Sequence, residues 1–252
     1  MKPVALISDL HANLEAFETV LKDIALKGVT DIYCLGDVIG YGPNPRECLT
    51  LTHKYANFTL RGNHEDALLF LAADFNPEAA TVIDWTRGQI NDKRYPKEQN
   101  HAIWNYLGDL EEKRQVDDVL YLHASPRRPT KEYVRPQDAQ DREKMDEIFG
   151  LIPRLCFCGH THEPGVFTTD YRFFPPRAFN SRFKLPPDRK FLINIGSVGQ
   201  PRDRDPRSCY VIFSGDVVEF FRLEYDFRKT MKKIVETRQI PRRFAERLEF
   251  GK

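Results

Sequence analysis

Residues 154–165 read RLCFCGHTHEPG, and this stretch decides the fold. Leu155 to Cys158 is a short apolar run that reads as a buried strand. It stops at Gly159 and delivers His160 and His162, one residue apart, at the strand end. Imidazole is the commonest metal ligand in proteins. A pair this close can sit beside two ions or flank one. Four other strand-like runs end in ligand-type residues: Asp9 with His11, Asp37, Asn63 with His64, and His123.

Working outward, residues 3–8 (PVALIS) predict a buried strand followed by Asp9-Leu10-His11. Asn13 is placed to cap a helix whose apolar face is Leu14, Phe17, Leu21 and Ile24, with Gly28 as its stop. Residues 31–35 predict a second strand, closed by Gly36-Asp37. Strand, helix and strand in this order are the βαβ unit of an α/β protein, whose ligands bind beyond the carboxyl ends of the strands. The glycine- and proline-rich GDVIGYGPNP is a shaped loop, with a helix expected over about 45–54 and a strand over 57–61. Residues 66–112 carry apolar residues at helical spacing and predict a helical insertion beside the site. A strand is expected over 116–122 and a helix over about 138–149. Residues 166–174, 190–198 and 208–223 are β-rich, the last turning at Ser214-Gly215-Asp216, and predict a second, antiparallel sheet. A helix over about 226–238 precedes a charged tail with little to bury, and residues 1–252 read as one domain.

Of the 252 residues, 38 are basic and 37 acidic, a net charge of +1 that gives no global pull toward nucleic acid or membrane. No apolar run approaches the ~20 residues of a membrane span, and the first strand is too short for a signal-peptide core. The five cysteines are odd in number, and four lie in apolar stretches. They predict reduced core thiols and a cytoplasmic location.

Oxygen and imidazole ligands without thiolate suit Mn, Fe, Zn and similar ions. The set is too large for one divalent ion with an open position and suits two ions sharing a carboxylate. Such a pair fits in-line displacement at phosphorus.

At these residues the chain resembles the calcineurin-like metallophosphoesterase superfamily. The shared blocks are Asp9-Leu10-His11, Gly36-Asp37-Val38-Ile39-Gly40, Gly62-Asn63-His64-Glu65, His123 and Gly159-His160-Thr161-His162, in the family's order. The resemblance implies an α/β fold with a two-sheet β-sandwich flanked by helices. It also implies that Asp9, His11 and His162 bind one ion, that Asn63, His123 and His160 bind the other, and that Asp37 bridges them. Manganese is the expected metal, with Fe, Zn, Ni, Co or Mg as alternatives. His64 would be the catalytic residue, unligated and facing the substrate. Where the protein serine/threonine phosphatase branch continues with Asp-Arg-Gly, this chain has Gly40-Tyr41-Gly42, so that branch's phosphate clamp is missing. The chain is closer to small bacterial and archaeal phosphoesterases, some of which cleave phosphodiesters or dinucleoside polyphosphates. Tyr41, Asn44, Arg46, Arg127, Arg128 and Arg202 are the candidate substrate contacts.

The expected function is hydrolysis of small phosphate mono- or diesters. The alternative is a nucleotide hydrolase acting on dinucleoside polyphosphates or cyclic nucleotides. A non-catalytic scaffold should have lost ligands, and here all are present. The expected partner is a small phosphoester or nucleotide.

Overall fold

The chain first builds a βαβ unit because the residue types at its ends permit little else. The computed structural model describes residues 2–72 and 75–252; residues 73 and 74, within the expected insertion, lie outside it. Strand β1 (Val4–Ile7) leads into helix α1 (Leu14–Leu26). The Asn13 side chain accepts from Ala16 N at 3.2 Å, satisfying an N-terminal amide, and Gly28 takes φ +70° just past the helix end. Then come β2 (Asp31–Cys34), α2 (Pro45–Tyr55) and β3 (Phe58–Thr59). The insertion is helical as expected: α3 (Asn63–Leu69), α4 (Pro77–Ile90) and α5 (Lys97–Gly108).

Next are β4 (Lys113–Val116), β5 (Val119–Leu122), α6 (Arg142–Leu151) and β6 (Leu155–Cys158). The C-terminal part holds β7 (Gly165–Thr168), β8 (Arg172–Phe174), β9 (Arg182–Lys184) and β10 (Phe191–Asn194). It ends with β11 (Ser208–Phe213), β12 (Val217–Leu223), α7 (Phe227–Thr237) and α8 (Arg243–Phe250).

Two six-stranded sheets result, in the orders β3-β2-β1-β11-β12-β9 and β4-β5-β6-β10-β7-β8. Alternation along each strand divides the core into layers. Val4 and Leu6 pack between the sheets with Val211, Phe213, Phe157 and Ile193. Ala5 and Ile7 face outward onto Phe17, Val20 and Ile24 of α1. On the other sheet Cys156, Cys158 and Leu192 meet Met145, Ile148 and Phe149 of α6. The order helix, sheet, sheet, helix is the expected sandwich. All five cysteines are buried and free.

Three expectations are corrected. The strand expected over 116–122 is a hairpin, because Asp117 adopts φ +53° and reverses the chain between β4 and β5. The β-rich C-terminal part is no separate sheet. Strand β11 pairs with β1 and β10 pairs with β6, so the late strands complete both sheets. The tail is also not merely solvated. Phe244, Ala245 and Leu248 of α8 are buried with Ile234 of α7 and with Val82 and Trp85 of the insertion, closing one flank of the site. Among the described residues no helix is long and apolar enough to cross a membrane.

Candidate metal centre

Three sharp turns at strand ends bring most of the ligand-type residues together. Asp9, His11, Asp37, His160 and His162 all lie in the left-handed region, with φ of 54°, 48°, 52°, 64° and 62°. For non-glycine residues that costs on the order of 1–3 kcal/mol each and persists only where neighbours over-determine the backbone. Here the amides of Asp9 and His11 donate to the Gly36 and Asp37 carbonyls, both at 3.0 Å. The His160 amide donates to Asp9 Oδ2 at 3.0 Å, and the His64 amide to Asp37 Oδ1 at 2.9 Å. Glycine is required where these groups approach each other. A Cβ on Gly62 would lie 2.1 Å from Asp37 Oδ1, and one on Gly159 2.2 Å from Asp9 Oδ2.

The side chains form two adjoining sets. In the first, His11 Nε2 lies 3.0 Å from His162 Nε2, and His162 Nε2 lies 3.1 Å from Asp9 Oδ1. In the second, His123 Nε2 lies 3.1 Å from both Asn63 Oδ1 and His160 Nδ1. Asp37 Oδ2 stands between them, 3.9 Å from His11 Nε2 and 3.3 Å from His123 Nε2. All of these residues except Asn63, which lines the rim, are buried.

Hydrogen-bond chemistry tests whether cations fit. A carbonyl oxygen only accepts, so a ring nitrogen facing one must carry the proton. His11 Nδ1 faces the Ile39 carbonyl at 3.1 Å, and His162 Nδ1 faces that of Gln200. In the neutral rings their Nε2 atoms are therefore both lone pairs, pointing at each other and at Asp9 Oδ1, which has no hydrogen-bond partner among the described residues. The second set repeats the arrangement. His123 Nδ1 faces the Leu35 carbonyl at 3.0 Å and His160 Nε2 that of Lys131 at 3.2 Å. That leaves His160 Nδ1, Asn63 Oδ1 and Asp37 Oδ2 converging on His123 Nε2, which joins them as an acceptor once its proton is displaced. Buried acceptors with nothing to accept are costly, and these Asp and His groups are ones that could hold a metal ion, which would remove the cost.

Electrostatics agree for His11 and His160. Burial opposes ionisation of Asp9 and Asp37, but His162 beside the former and His123 beside the latter hold both carboxyls below the usual range. Burial lowers the pKa of His11, and lowers that of His160 to about 3, so both rings are neutral, as ligands must be. Burial also acts downward on His123, but the Asp37 carboxylate outweighs it and raises that ring to about 9, so His123 becomes a ligand only by giving up its Nε2 proton to an incoming cation.

Asn63 and His64 diverge. Asn63 joins the second set, while the His64 ring packs 4.6 Å from Tyr41 and 4.8 Å from Phe75 (centroid to centroid). His64 Nε2 is 3.9 Å from Asp37 Oδ2, and its Nδ1 has no hydrogen-bond partner among the described residues. Burial lowers the pKa of this ring to about 4.

The expected substrate contacts separate. Tyr41 lies at the site, its ring 4.7 Å from that of His11. Arg202 is near it, its Cζ 5.8 Å from the Tyr41 ring and its Nη2 donating to Gln200 Oε1 at 2.8 Å. Arg128 lines a cleft beside Asn63 and His160. Arg46 does not reach the site. Its Nη1 is held by the carbonyls of Gln89 and Ile90 and by Asn100 Oδ1, at 3.2, 2.7 and 2.8 Å. Asn44 ties Lys233 to Glu47, and Arg127 is engaged by Glu132 and Glu147.

Glu65 has a role the residue types did not announce. It accepts from the amides of Asp37, Val38, Ile39 and Gly62 at 2.9, 2.9, 3.2 and 2.9 Å, fixing the loop that presents Asp37. Its position three residues after Gly62 was the available signal, since a helix N3 carboxylate reaches back to the preceding amide.

The sequence model described as calcineurin-like phosphoesterase matches residues 2–164. The chain is 36% identical to the uncharacterized protein MJ0912 of Methanocaldococcus jannaschii, over 99% of this chain and 98% of that protein. Its fold is similar to a metallophosphoesterase from Sphaerobacter thermophilus, with a TM-score of 0.83, 34% identity, and coverage of 99% of this chain and 100% of that one. The hypothetical protein PH1004 from Pyrococcus horikoshii shares the fold at 17% identity, with a TM-score of 0.74 and coverage of 100% and 99%.

Proposed function

Because the chain belongs to the calcineurin-like phosphoesterase family, we propose that it hydrolyses small phosphate mono- or diesters at a site holding two divalent cations. Asp9, His11 and His162 would hold one, Asn63, His123 and His160 the other, and Asp37 both. The observation that carries this reading is the 3.0 Å approach of the His11 and His162 Nε2 lone pairs, with Asp9 Oδ1 unsatisfied beside them. Bound cations would supply an activated water and neutralise charge on the phosphoryl oxygens, manganese being first among Mn, Fe, Zn, Ni, Co and Mg.

The protein's own groups do the rest. His64 is neutral at pH 7, because burial holds its pKa at about 4. It therefore carries one N–H, enough to hydrogen-bond a substrate oxygen. A phosphate placed against the ring would raise its proton affinity, the condition for protonating a leaving oxygen. Asp37 Oδ1 holds the His64 backbone at 2.9 Å, so the bridging carboxylate and the proton carrier share one fixed frame. Arg202, with no carboxylate partner among the described residues, is the cation closest in role to the missing phosphate clamp. Five buried free thiols suit a reducing, cytoplasmic setting, and the substrate is a small molecule rather than nucleic acid or membrane.

The test is hydrolysis of p-nitrophenyl phosphate and bis-p-nitrophenyl phosphate with Mn²⁺. His64→Ala is expected to lower kcat by about 10²–10⁴-fold with metal content retained, and full activity would remove His64 from the mechanism. A nucleotide substrate is the second reading, favoured by Tyr41 and Arg202 standing together at the site. Turnover on a panel of cyclic nucleotides and dinucleoside polyphosphates decides it, and uniformly poor rates count against it.

A further inference from the structure

A cleft of about 230 Å³ opens beside Asn63 and His160, and its lining divides by chemistry. Ala67, Leu71, Phe75 and Tyr133 are apolar or aromatic, and Arg128 and Lys131 are cationic. The aromatic rings abut the imidazoles of the centre. The Phe75 ring lies 4.8 Å from that of His64, and the Tyr133 ring 4.0 Å from that of His160. The cleft therefore begins where the reacting phosphorus would sit.

The lining carboxylate of Asp66 is taken by Arg61 Nε and Thr130 Oγ1, both at 2.8 Å. Arg127 is neutralised by Glu132 and Glu147, whereas Arg128 has no carboxylate partner among the described residues. The Arg128 amide donates to Ser125 Oγ at 3.1 Å, which fixes the backbone of a residue that lines the cleft and is itself exposed. Leu71, 83% exposed, leaves apolar surface uncovered at the mouth.

We propose that this cleft receives the alcohol part of the ester and selects a single flat aromatic ring bearing an anionic substituent. Size argues for one ring, because sites for drug-sized ligands run to about 300–1,000 Å³ and this one is smaller. The apolar lining favours a ring over a short alkyl group, and Arg128 is placed to pair with its anion. The proposal rests on the phosphoesterase reading for the position of the phosphoryl group.

The experiment compares 4-carboxyphenyl phosphate with 4-carboxamidophenyl phosphate in the Mn²⁺-loaded native protein and in Arg128→Ala. Intrinsic reactivity cancels when the ratio of kcat/KM values is compared between the two proteins. The preference for the carboxylate is expected to fall about 5-fold in Arg128→Ala, the scale of a partly exposed ion pair, and to return in part in Arg128→Lys. A second arm needs no turnover: calorimetric binding of 4-carboxyphenylphosphonate and methylphosphonate. The native protein is expected to favour the aryl compound about 10-fold, and Phe75→Ala to erode that preference. Binding with this pattern but no hydrolysis of any ester would leave the cleft standing and remove the phosphoesterase reading. Hydrolysis with a carboxylate preference indifferent to Arg128, or equal binding of aryl and methyl phosphonates, would overturn the cleft assignment.

Discussion

His64 and Gly40 are fitted so closely that a Cβ on Gly40 would lie 2.0 Å from His64 Nδ1. Gly40 also adopts φ +90°, a conformation that disfavours a side chain. Gly40→Ala is therefore expected to push the His64 ring away while sparing the metal ligands. Misplacement by about 1 Å can cost 10²-fold in rate, and a loss of that order is expected in kcat, with metal content near native. Native turnover in Gly40→Ala would contradict a positioned His64.

Among the described residues Glu65 pairs with no arginine or lysine; it gathers four backbone amides. Glu65→Ala leaves the amides of Asp37, Val38, Ile39 and Gly62 without this acceptor. At about 1–3 kcal/mol for each buried group left unsatisfied, with water recovering part of the loss, a destabilisation of about 3–5 kcal/mol is expected. For a chain of this size that is a fall in Tm of roughly 10 °C. Glu65→Gln keeps an acceptor oxygen and is expected to lose less. Thermal unfolding of both variants checks the order, and equal Tm values would refute it.

The tail is expected to matter for stability. Phe244 is buried and its ring lies 4.8 Å from that of Tyr41. Phe244→Ala should cost about 3–5 kcal/mol, as large-to-small substitutions of buried aromatics do. Denaturant unfolding reads this directly, and a loss below about 1 kcal/mol would show that α8 is not docked in solution.

Glu15 couples α1 to α7. Burial opposes its ionisation, but Lys233 at 2.6 Å and Lys229 at 3.2 Å outweigh that and hold its carboxyl below the usual glutamate range. A depressed carboxyl contributes stability above its unfolded pKa and loses it as pH falls through the folded value. Tm should therefore drop more steeply in the native protein than in Glu15→Gln as pH falls from about 5 toward 3. Parallel curves would dismiss the contact.

The ligand set was legible because metal binding uses few residue types and strand ends place them predictably. Asp9, Asp37, His123 and His160 each follow an apolar run. The groups that set the imidazole tautomers were not legible, because the carbonyls of Leu35, Ile39, Lys131 and Gln200 carry no side-chain mark. Arg46 misled because its loop resembles a binding loop, while the acceptors that claim it, Gln89, Ile90 and Asn100, are 43 to 54 residues away. Phe75 and Tyr133 lie in irregular segments where no periodicity singles out an aromatic. The role of α8 was hidden because Phe244, Ala245 and Leu248 sit among arginines and glutamates, and only the packing of α7 and the insertion gives them a partner.

The central claim is that two cations share Asp37. Metal analysis by mass spectrometry, on protein purified without chelator and equilibrated with Mn²⁺, tests it most directly. Two equivalents per chain are expected in the native protein, about one in His162→Ala, and substantially fewer than two in Asp37→Ala. A native stoichiometry of one or none, or two retained without Asp37, would contradict it.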